Sequence, residues 1–163
     1  MANRGTFKEN TAAAQQHLAR FEAEPLGHFI NGENVASESG TTFENRSPVD
    51  GSLLGIVASG GAADVARAAD AAEEAFGAWS NLAGTERKRI LHNVADLIIE
   101  RQHEIAVTEC MDTGQTMRFM SAAALRGADN FRFFADQAPK ANDGLSLPTA
   151  DHVNYTTRHP LGP

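Results

Sequence analysis

The sequence is poor in the features that mark secreted, membrane-spanning or nucleic-acid-binding proteins. Its 163 residues contain one cysteine, Cys110, which excludes an internal disulfide and is typical of the reducing cytoplasm. No apolar run approaches the roughly 20 residues that cross a bilayer, and no secretory signal is visible. The formal charge of −7 disfavours nucleic acid and anionic lipid, because both reward clustered lysine and arginine. We therefore expect a soluble cytoplasmic protein without a nucleic-acid or membrane partner.

Common catalytic motifs are also missing. The sequence has neither a G-x-G-x-x-G turn nor a G-x-x-x-x-G-K-[ST] loop. Gly60 and Gly61 precede a predicted helix whose N–H groups can hold an anion, although such a pair more often turns the chain from strand to helix. The histidines lack the spacing of a zinc site. Cys110 lies on the apolar side of a predicted helix beside Glu109, so we interpret it as buried and structural and not as a nucleophile.

The first third of the sequence predicts one optional helix and two β-hairpins. Residues 1–25 are polar, and they form either a short helix capped by Asn10 or Thr11 or a mobile arm. The tight-turn pair Asn31-Gly32 favours a hairpin within 29–35. A second hairpin is predicted around Pro48–Gly51, joining strands at 43–47 and 53–57.

Four helices are predicted from apolar residues at helical spacing. The first covers 63–79, with an apolar stripe formed by Val65, Ala68, Ala69, Ala72, Ala75, Phe76 and Trp79. The second is capped by Thr85, and its buried line is formed by Ile90, Leu91, Val94, Leu97 and Ile98. A third, shorter helix carries Ile105, Ala106 and Cys110 and ends at Gly114, a left-handed C-cap. The long fourth helix covers about 116–138.

The last stretch of the sequence ends on a predicted strand. Residues 141–149 are expected to form a loop, and 154–158 a strand without a partner. Because one strand cannot satisfy its own backbone groups, and the hairpins are too few to complete a parallel sheet, we interpret the chain as truncated. A complete, mostly helical protein with a mobile tail is the alternative.

Two polar side chains are candidate site residues. Asp112 lies at a predicted helix C-terminus, where the macrodipole disfavours a carboxylate. It either has a partner, such as a cation or a backbone N–H, or caps the next helix. Arg126 shares a helix face with Phe119, Ala122, Asn130 and Phe133. An arginine on such an apolar line either extends its charge to water or binds an anion.

The same residues resemble the aldehyde dehydrogenase superfamily over almost all of 28–163. The motifs that carry the resemblance are Phe29-Ile30-Asn31-Gly32-Glu33, Ser47-Pro48-Val49-Asp50-Gly51, Asp64-Val65 with Ala75-Phe76, Glu86-Arg87 with Ala95-Asp96-Leu97-Ile98, Asp112-Thr113-Gly114, Phe133-Phe134-Ala135, and Tyr155-Thr156 with Arg158-His159-Pro160. Each motif is weak alone, and their order and spacing make the set specific.

The resemblance implies an α/β fold of which this chain is the N-terminal fragment. Short outer strands and four helices would flank a Rossmann-like domain that is mostly missing, followed by one oligomerisation-type strand. Residues 1–25 would be the arm or short helix, 26–150 the N-terminal part of the cofactor-binding domain, and 151–163 the start of a β segment that joins the subunits of a homo-oligomer. The resemblance also implies NAD or NADP as cofactor, a catalytic cysteine and a glutamate base beyond Pro163, and no turnover by this chain alone.

Within the superfamily, three motifs resemble the 5-carboxymethyl-2-hydroxymuconate semialdehyde dehydrogenases of aromatic catabolism. They are Val57-Ala58-Ser59-Gly60-Gly61, Asn130-Phe131 and Asn154-Tyr155-Thr156. Substrates of that subgroup carry carboxylates, which implies that Arg126 binds a substrate carboxylate. Many members also hold a monovalent cation, which implies Asp112 as side-chain ligand and main-chain carbonyls near Asn45 and Arg46. The alternatives are a succinate-semialdehyde or betaine-aldehyde dehydrogenase, and a non-catalytic helical protein that pairs its last strand with another chain.

Overall fold

The computed structural model describes residues 5–141, 144–145 and 149–163. In chain order its elements are α1 (Phe7–Ala23), β1 (His28–Ile30), β2 (Glu33–Val35), β3 (Thr42–Arg46), β4 (Leu53–Ala58), α2 (Ala62–Asn81), α3 (Gly84–Glu100), α4 (Gln102–Thr113), α5 (Met117–Gln137), a 3₁₀ turn (Ala138–Lys140), β5 (Gly144–Leu145) and β6 (Tyr155–Thr156). Among these residues, no helix has the length and apolar character needed to cross a membrane.

Both predicted hairpins are confirmed. Strands β1 and β2 pair antiparallel, and their turn places Asn31 at φ 51° and Gly32 at φ 82°. Two successive positive φ angles are what a two-residue hairpin turn requires. Strands β3 and β4 also pair antiparallel, with a bulge between Asn45 and Arg46. A bulge leaves one residue out of the ladder and bends its strand, and this one lies beside a candidate site residue.

Helix α1 forms, but its predicted cap is wrong. The N-cap is Thr6, whose hydroxyl accepts from the Glu9 N–H at 3.3 Å while the Glu9 carboxylate accepts from the Thr6 N–H at 2.7 Å. This reciprocal capping box satisfies two N–H groups at once. Asn10 and Thr11 lie inside the helix, and the Thr11 hydroxyl donates to the Phe7 carbonyl. The Thr6-x-x-Glu9 motif marks a helix start four residues before Asn10, the first of the two predicted caps.

A small apolar core joins α1, β4 and α4. Its buried members are Ala14, Leu18, Leu54 and Val107, against which Phe21, Met111 and Met117 pack. Polar contacts also fasten α1 to α4: Arg20 pairs with Glu104 at 3.0 Å. The packing of α1 therefore supports the helix, and the mobile-arm alternative is wrong for this segment.

Helices α3 and α5 lie side by side, and ion pairs connect their exposed edges. The Asp136 carboxylate contacts Lys88 Nζ at 2.9 Å and His92 Nε2 at 3.0 Å. Arg132 of α5 reaches Asp96 of α3 at 2.8 Å. The hydrogen bonds from Lys88 and then His92 lower the pKa of Asp136 to about 2. These contacts fix the register of α5, which carries the candidate residue Arg126.

Two predictions about α3 need correction. The helix begins at Gly84 and its N-cap is Ala83 without a side-chain bond, so Thr85 is not the cap. Gly84 approaches the end of α5 so closely that a Cβ there would lie 2.6 Å from the Ala138 carbonyl oxygen, which explains a glycine at the helix start. The predicted buried line is only half-buried, and Leu97 is 57% exposed because the described residues leave most of its side chain uncovered.

Helix α2 forms over the predicted residues, yet it packs against almost nothing. Its one buried residue is Asp64. Val65 is 68% exposed and Trp79 is 41% exposed, although both belong to the apolar stripe. The stripe thus identified the helix correctly, and the residues that the structure describes leave most of it uncovered.

The C-terminal strand is shorter than predicted and has a partner. Tyr155–Thr156 pairs antiparallel with Gly144–Leu145, two residues of the segment predicted to be loop. The expectation of an unpaired last strand is therefore wrong, because a short extended piece of that loop supplies the missing backbone groups. Residues 142–143 and 146–148 of the predicted loop lie outside the described residues. The ends of α4 and α5 agree with prediction: Gly114 is left-handed at φ 72° and α5 covers Met117–Gln137.

Candidate functional site

The structure brings two of the predicted cation ligands together. Asp112 lies in the last turn of α4, and its Oδ1 accepts a hydrogen bond from Asn45 Nδ2 at 2.6 Å. Asp112 does not cap the next helix, since the N-cap of α5 is Thr116 without a side-chain bond. The carboxylate that the helix dipole disfavours therefore has a partner from β3. That partner is a neutral amide.

The third predicted ligand, Arg46, contributes nothing through its side chain. Its guanidinium pairs with Glu44 at 2.7 Å and donates to the Gly51 carbonyl at 2.9 Å. Only its main-chain carbonyl is available for the role that the resemblance implies. The bulge between Asn45 and Arg46 interrupts the ladder at that point, so backbone groups there are less fully used by β4.

The contact that the structure gives Asp112 is the Asn45 amide nitrogen. The carbonyl oxygens that the resemblance implies beside this carboxylate would be hard ligands, which alkali and alkaline-earth ions prefer. Among the described residues, no group of three or more His, Cys, Asp or Glu could hold a metal ion. The cation site therefore stays a prediction.

Arg126 lies on the outer face of α5, away from the packed face. The packed face is lined by Ser121, Ala124, Ala128 and Ala135. On the outer face, Phe119 is 56% exposed and Phe133 is 59% exposed. Arg126 is itself exposed, and it makes no hydrogen bond or ion pair with any residue that the structure describes. The guanidinium is thus available to an anion, and the shared face with Phe119, Asn130 and Phe133 agrees with the prediction.

The sequence reading missed a buried carboxylate at the start of α2. Asp64 is 4% exposed and accepts from the N–H groups of Gly61 and Glu38, each at 2.9 Å, and from the Ser37 hydroxyl at 3.1 Å. The bond from Gly61 and then that from Glu38 lower the pKa of Asp64. The Gly61 N–H is used within the chain, so it does not point to an external anion. An aspartate three residues after Gly61 was the available signal.

Cys110 has the environment of a structural thiol. It is half-buried, and burial, followed by the charge of Glu109, raises its pKa. A nucleophilic cysteine needs the opposite shift. Cys110 is thus less buried than predicted, and its structural role stays a prediction.

The described residues do not build a dinucleotide site. Their three sheets each have two strands, all antiparallel, whereas such sites lie at the end of a parallel sheet beside a glycine-rich turn. The sequence has no such turn. No cofactor contact is therefore assigned to this chain.

Comparison with known proteins places these features in a family. Residues 34–163 match the aldehyde dehydrogenase family. The 2-hydroxymuconic semialdehyde dehydrogenase of Pseudomonas sp. (strain CF600) is 40% identical over 143 residues, which cover 84% of this chain and 29% of that protein. The 5-carboxymethyl-2-hydroxymuconate semialdehyde dehydrogenase of Escherichia coli is 38% identical, covering 84% and 29%. A betaine aldehyde dehydrogenase of Rhizobium etli is 36% identical, covering 86% and 29%.

Solved structures agree with the sequence comparison. HpcC from Thermus thermophilus superposes with a TM-score of 0.81 at 41% identity, over 86% of this chain and 27% of that one. The indole-3-acetaldehyde dehydrogenase AldA of P. syringae, solved with NAD⁺, gives a TM-score of 0.82 at 35% identity, over 93% and 31%. The chain thus spans less than a third of the length of each of these five relatives.

Proposed function

The chain belongs to the aldehyde dehydrogenase family, and from this we propose that it forms the N-terminal part of an NAD(P)-dependent enzyme that oxidises a semialdehyde to the acid. The proposal concerns the polypeptide in which this segment is joined to the remainder of the family fold. NAD or NADP, when bound there, would accept the hydride of the aldehyde carbon. The catalytic cysteine and the glutamate base would be supplied by that remainder, and we expect no NADH formation by the 163 residues alone.

Arg126 indicates the class of substrate. Arg126 has an exposed guanidinium that makes no hydrogen bond or ion pair with any described residue, and it lies between Phe119 and Phe133 on one helix face. This arrangement suits a planar apolar molecule that ends in a carboxylate. Arginine binds carboxylates through two parallel hydrogen bonds. We assign a muconate-type semialdehyde on this ground, supported by the substrates after which two relatives are named.

A second candidate substrate is succinate semialdehyde, because it also carries a carboxylate that Arg126 can bind. Betaine aldehyde, named for one relative, carries a quaternary ammonium. A cation would be repelled by an unpaired guanidinium in the same site. The positive charge of Arg126 therefore favours the two carboxylated semialdehydes over betaine aldehyde.

A chimeric enzyme tests this role. Residues of this chain would replace the 143 matching residues of the Pseudomonas enzyme, and oxidation would be followed through NADH absorbance. Arg126→Ala should raise KM for the carboxylated semialdehyde about tenfold or more, because it removes a charge-assisted bond made in ground and transition state alike. KM for a neutral aldehyde of similar size should hardly change. Arg67→Ala, on exposed α2, removes the same charge elsewhere as a control, and equal effects of Arg126→Ala on both substrates would sink the assignment.

We also propose that Asp112 and the main-chain carbonyls of Asn45 and Arg46 hold a monovalent cation. The hydrogen bond from Asn45 engages Oδ1 of Asp112, which leaves Oδ2 for the ion. Potassium chloride should then raise the unfolding temperature of the chain more than choline chloride at equal ionic strength. Asp112→Asn should abolish the difference, while Asp70→Asn on exposed α2 should retain it.

Residues 151–163 are proposed to start the β segment through which subunits join into a homo-oligomer. Val153 is 62% exposed and Tyr155 is 67% exposed, so this segment presents apolar side chains and short strand edges to a partner. Light scattering on the chimera, with and without these thirteen residues of this chain, measures the assembly. Equal molar mass for both forms would contradict the proposal.

A further inference from the structure

A groove of about 550 Å³ lies between the end of α2, the first turns of α3 and the residues that follow β6. Phe76 and Trp79 line it from α2, Arg87 from α3, and Arg158 and His159 from the segment after β6. Its volume falls in the range of about 300–1,000 Å³ that is usual for small-molecule pockets. The groove therefore has room for a ligand with two fused rings and a short substituent.

The α2 side of the groove is aromatic. Phe76 and Trp79 are three residues apart, so they share one face of the helix. Phe76 is half-buried and Trp79 is 41% exposed, which leaves the indole ring open to a ligand. Indole and phenyl rings attract planar aromatic molecules through stacked or edge-to-face contacts. This side of the groove therefore suits an aromatic ring system.

Arg87 is held in place by the end of α2. Its Nη1 donates to the Ser80 carbonyl at 3.1 Å and to the Leu82 carbonyl at 2.8 Å. Cations are favourable at a helix C-terminus, because the last carbonyls lack partners within the helix. The Nε and Nη2 groups of Arg87 make no hydrogen bond with any residue that the structure describes. A guanidinium that is already fixed thus keeps donors for an anion.

The charge of the lining is positive. Arg158 adds a second guanidinium to that of Arg87, and no aspartate or glutamate is among the described residues that line the groove. Arginine binds a carboxylate through two parallel charge-assisted hydrogen bonds. Beside the aromatic rings, such donors select a molecule that is both planar and negatively charged.

We propose that this groove binds a planar aromatic carboxylate. Its rings lie against Phe76 and Trp79, and its carboxylate accepts hydrogen bonds from Arg87 in the positive field of Arg158. The aromatic side disfavours a bare inorganic anion, and the positive lining disfavours an aromatic ammonium. The inference is independent of the proposed dehydrogenase activity, since it does not use Arg126. It also leaves the proposed subunit contact of β6 untouched, because no described residue of β6 lines the groove.

Binding has a consequence for α2. Among the described residues, this helix buries only Asp64, near its start, so its last turn is held by few packing contacts. A ligand between α2 and the residues after β6 adds contacts at this end and connects two segments that are distant in sequence. The exchange of backbone amides in the last turn of α2 should therefore slow when the site is occupied.

The test compares three probes of one shape on the full 163-residue chain. Calorimetry should show binding of naphthoate, with naphthylmethanol about tenfold weaker and naphthylmethylammonium weaker still, because only the carboxylate gains charge-assisted hydrogen bonds. Trp79 is the only tryptophan, so its indole N–H gives a single nuclear magnetic resonance signal that reports on the groove. That signal should shift when naphthoate binds. Calorimetric binding without a shift would place the ligand elsewhere and overturn the proposal.

Substitutions separate the charged side of the groove from the aromatic side. Arg87→Lys keeps a cation at the end of α2 and loses the paired donors, so it should weaken naphthoate about tenfold. Arg158→Ala removes a more distant charge and should weaken naphthoate about threefold. Both should leave naphthylmethanol unchanged, whereas Trp79→Leu should weaken naphthoate and naphthylmethanol alike. Arg67→Ala, which removes an exposed charge from α2 outside the groove, should bind naphthoate as the unaltered chain does.

Two further results would overturn the proposal. One is equal affinity for naphthoate and naphthylmethanol, and the other is an unchanged affinity for naphthoate in both arginine variants. Circular dichroism checks that Arg87→Lys folds, because Arg87 also satisfies carbonyls at the end of α2. If that variant does not fold, Arg158→Ala carries the test of charge, since Arg158 lies outside the helices.

Discussion

Helices α1 and α2 are both amphipathic, yet among the described residues only α1 packs into an apolar core. The 17 residues of α1 bury Ala14 and Leu18 against β4 and α4. The 20 residues of α2 bury only Asp64, and leave Val65 and Trp79 exposed. Apolar spacing therefore predicts that a segment is helical, and leaves open whether its apolar face is covered within the same segment.

The two helices are also held by different forces. Helix α1 is fixed by apolar burial, with a capping box at its start. Helix α2 is fixed at one end, where Asp64 accepts hydrogen bonds from Ser37 and Glu38. The side chains along the rest of the helix contribute little packing. Exposed apolar stripes of this size are typical of interaction surfaces.

The sharpest test of this contrast shortens one apolar side chain beside α1 and one on α2. Leu54 is 5% exposed in the core beside α1, so Leu54→Ala should lower the free energy of unfolding by about 2–5 kcal/mol. Val65 is 68% exposed on α2, so Val65→Ala should change it by no more than about 0.5 kcal/mol. Urea denaturation followed by circular dichroism measures both. A comparable loss in the two variants would mean that the α2 stripe is covered in solution.

The sequence predicted the helices well because their signal is local. Apolar spacing found α2 to α5, and Gly114 marked the end of α4. The predictions that failed depend on contacts distant in sequence. Leu97 is exposed because no described element covers it, and the glycine at the start of α3 is explained by the close approach of the end of α5. The last strand found its partner in a segment whose composition indicated only loop.

The site was predictable to a similar extent. Asp112 stood out because its position at a helix end is electrostatically poor, and the structure supplies Asn45, 67 residues earlier in the chain, as the partner. Arg126 stood out because it interrupts an apolar face. No local pattern could reveal the small core between α1, β4 and α4, since it arises from contacts between elements that are distant in sequence.

A smaller effect is expected from the polar tie that fixes α2. Asp64→Asn should destabilise the chain less than Leu54→Ala, and should speed amide exchange in the first turn of α2 while leaving α4 unchanged.

The effect of Asp64 should also depend on pH. The folded-state pKa of Asp64 lies below its ordinary value, so its contribution to the free energy of unfolding is complete above about pH 4 and is lost as the pH falls through the folded-state pKa. The difference in unfolding free energy between wild type and Asp64→Asn should therefore shrink on acidification below about pH 4. Asp70→Asn, which removes an exposed carboxylate from the same helix, should show no such window. A difference that stayed constant from neutral pH to pH values well below about 4 would mean that Asp64 acts by shape alone. The charge of Asp64 would then not help to hold α2, in contrast to what we infer for this helix.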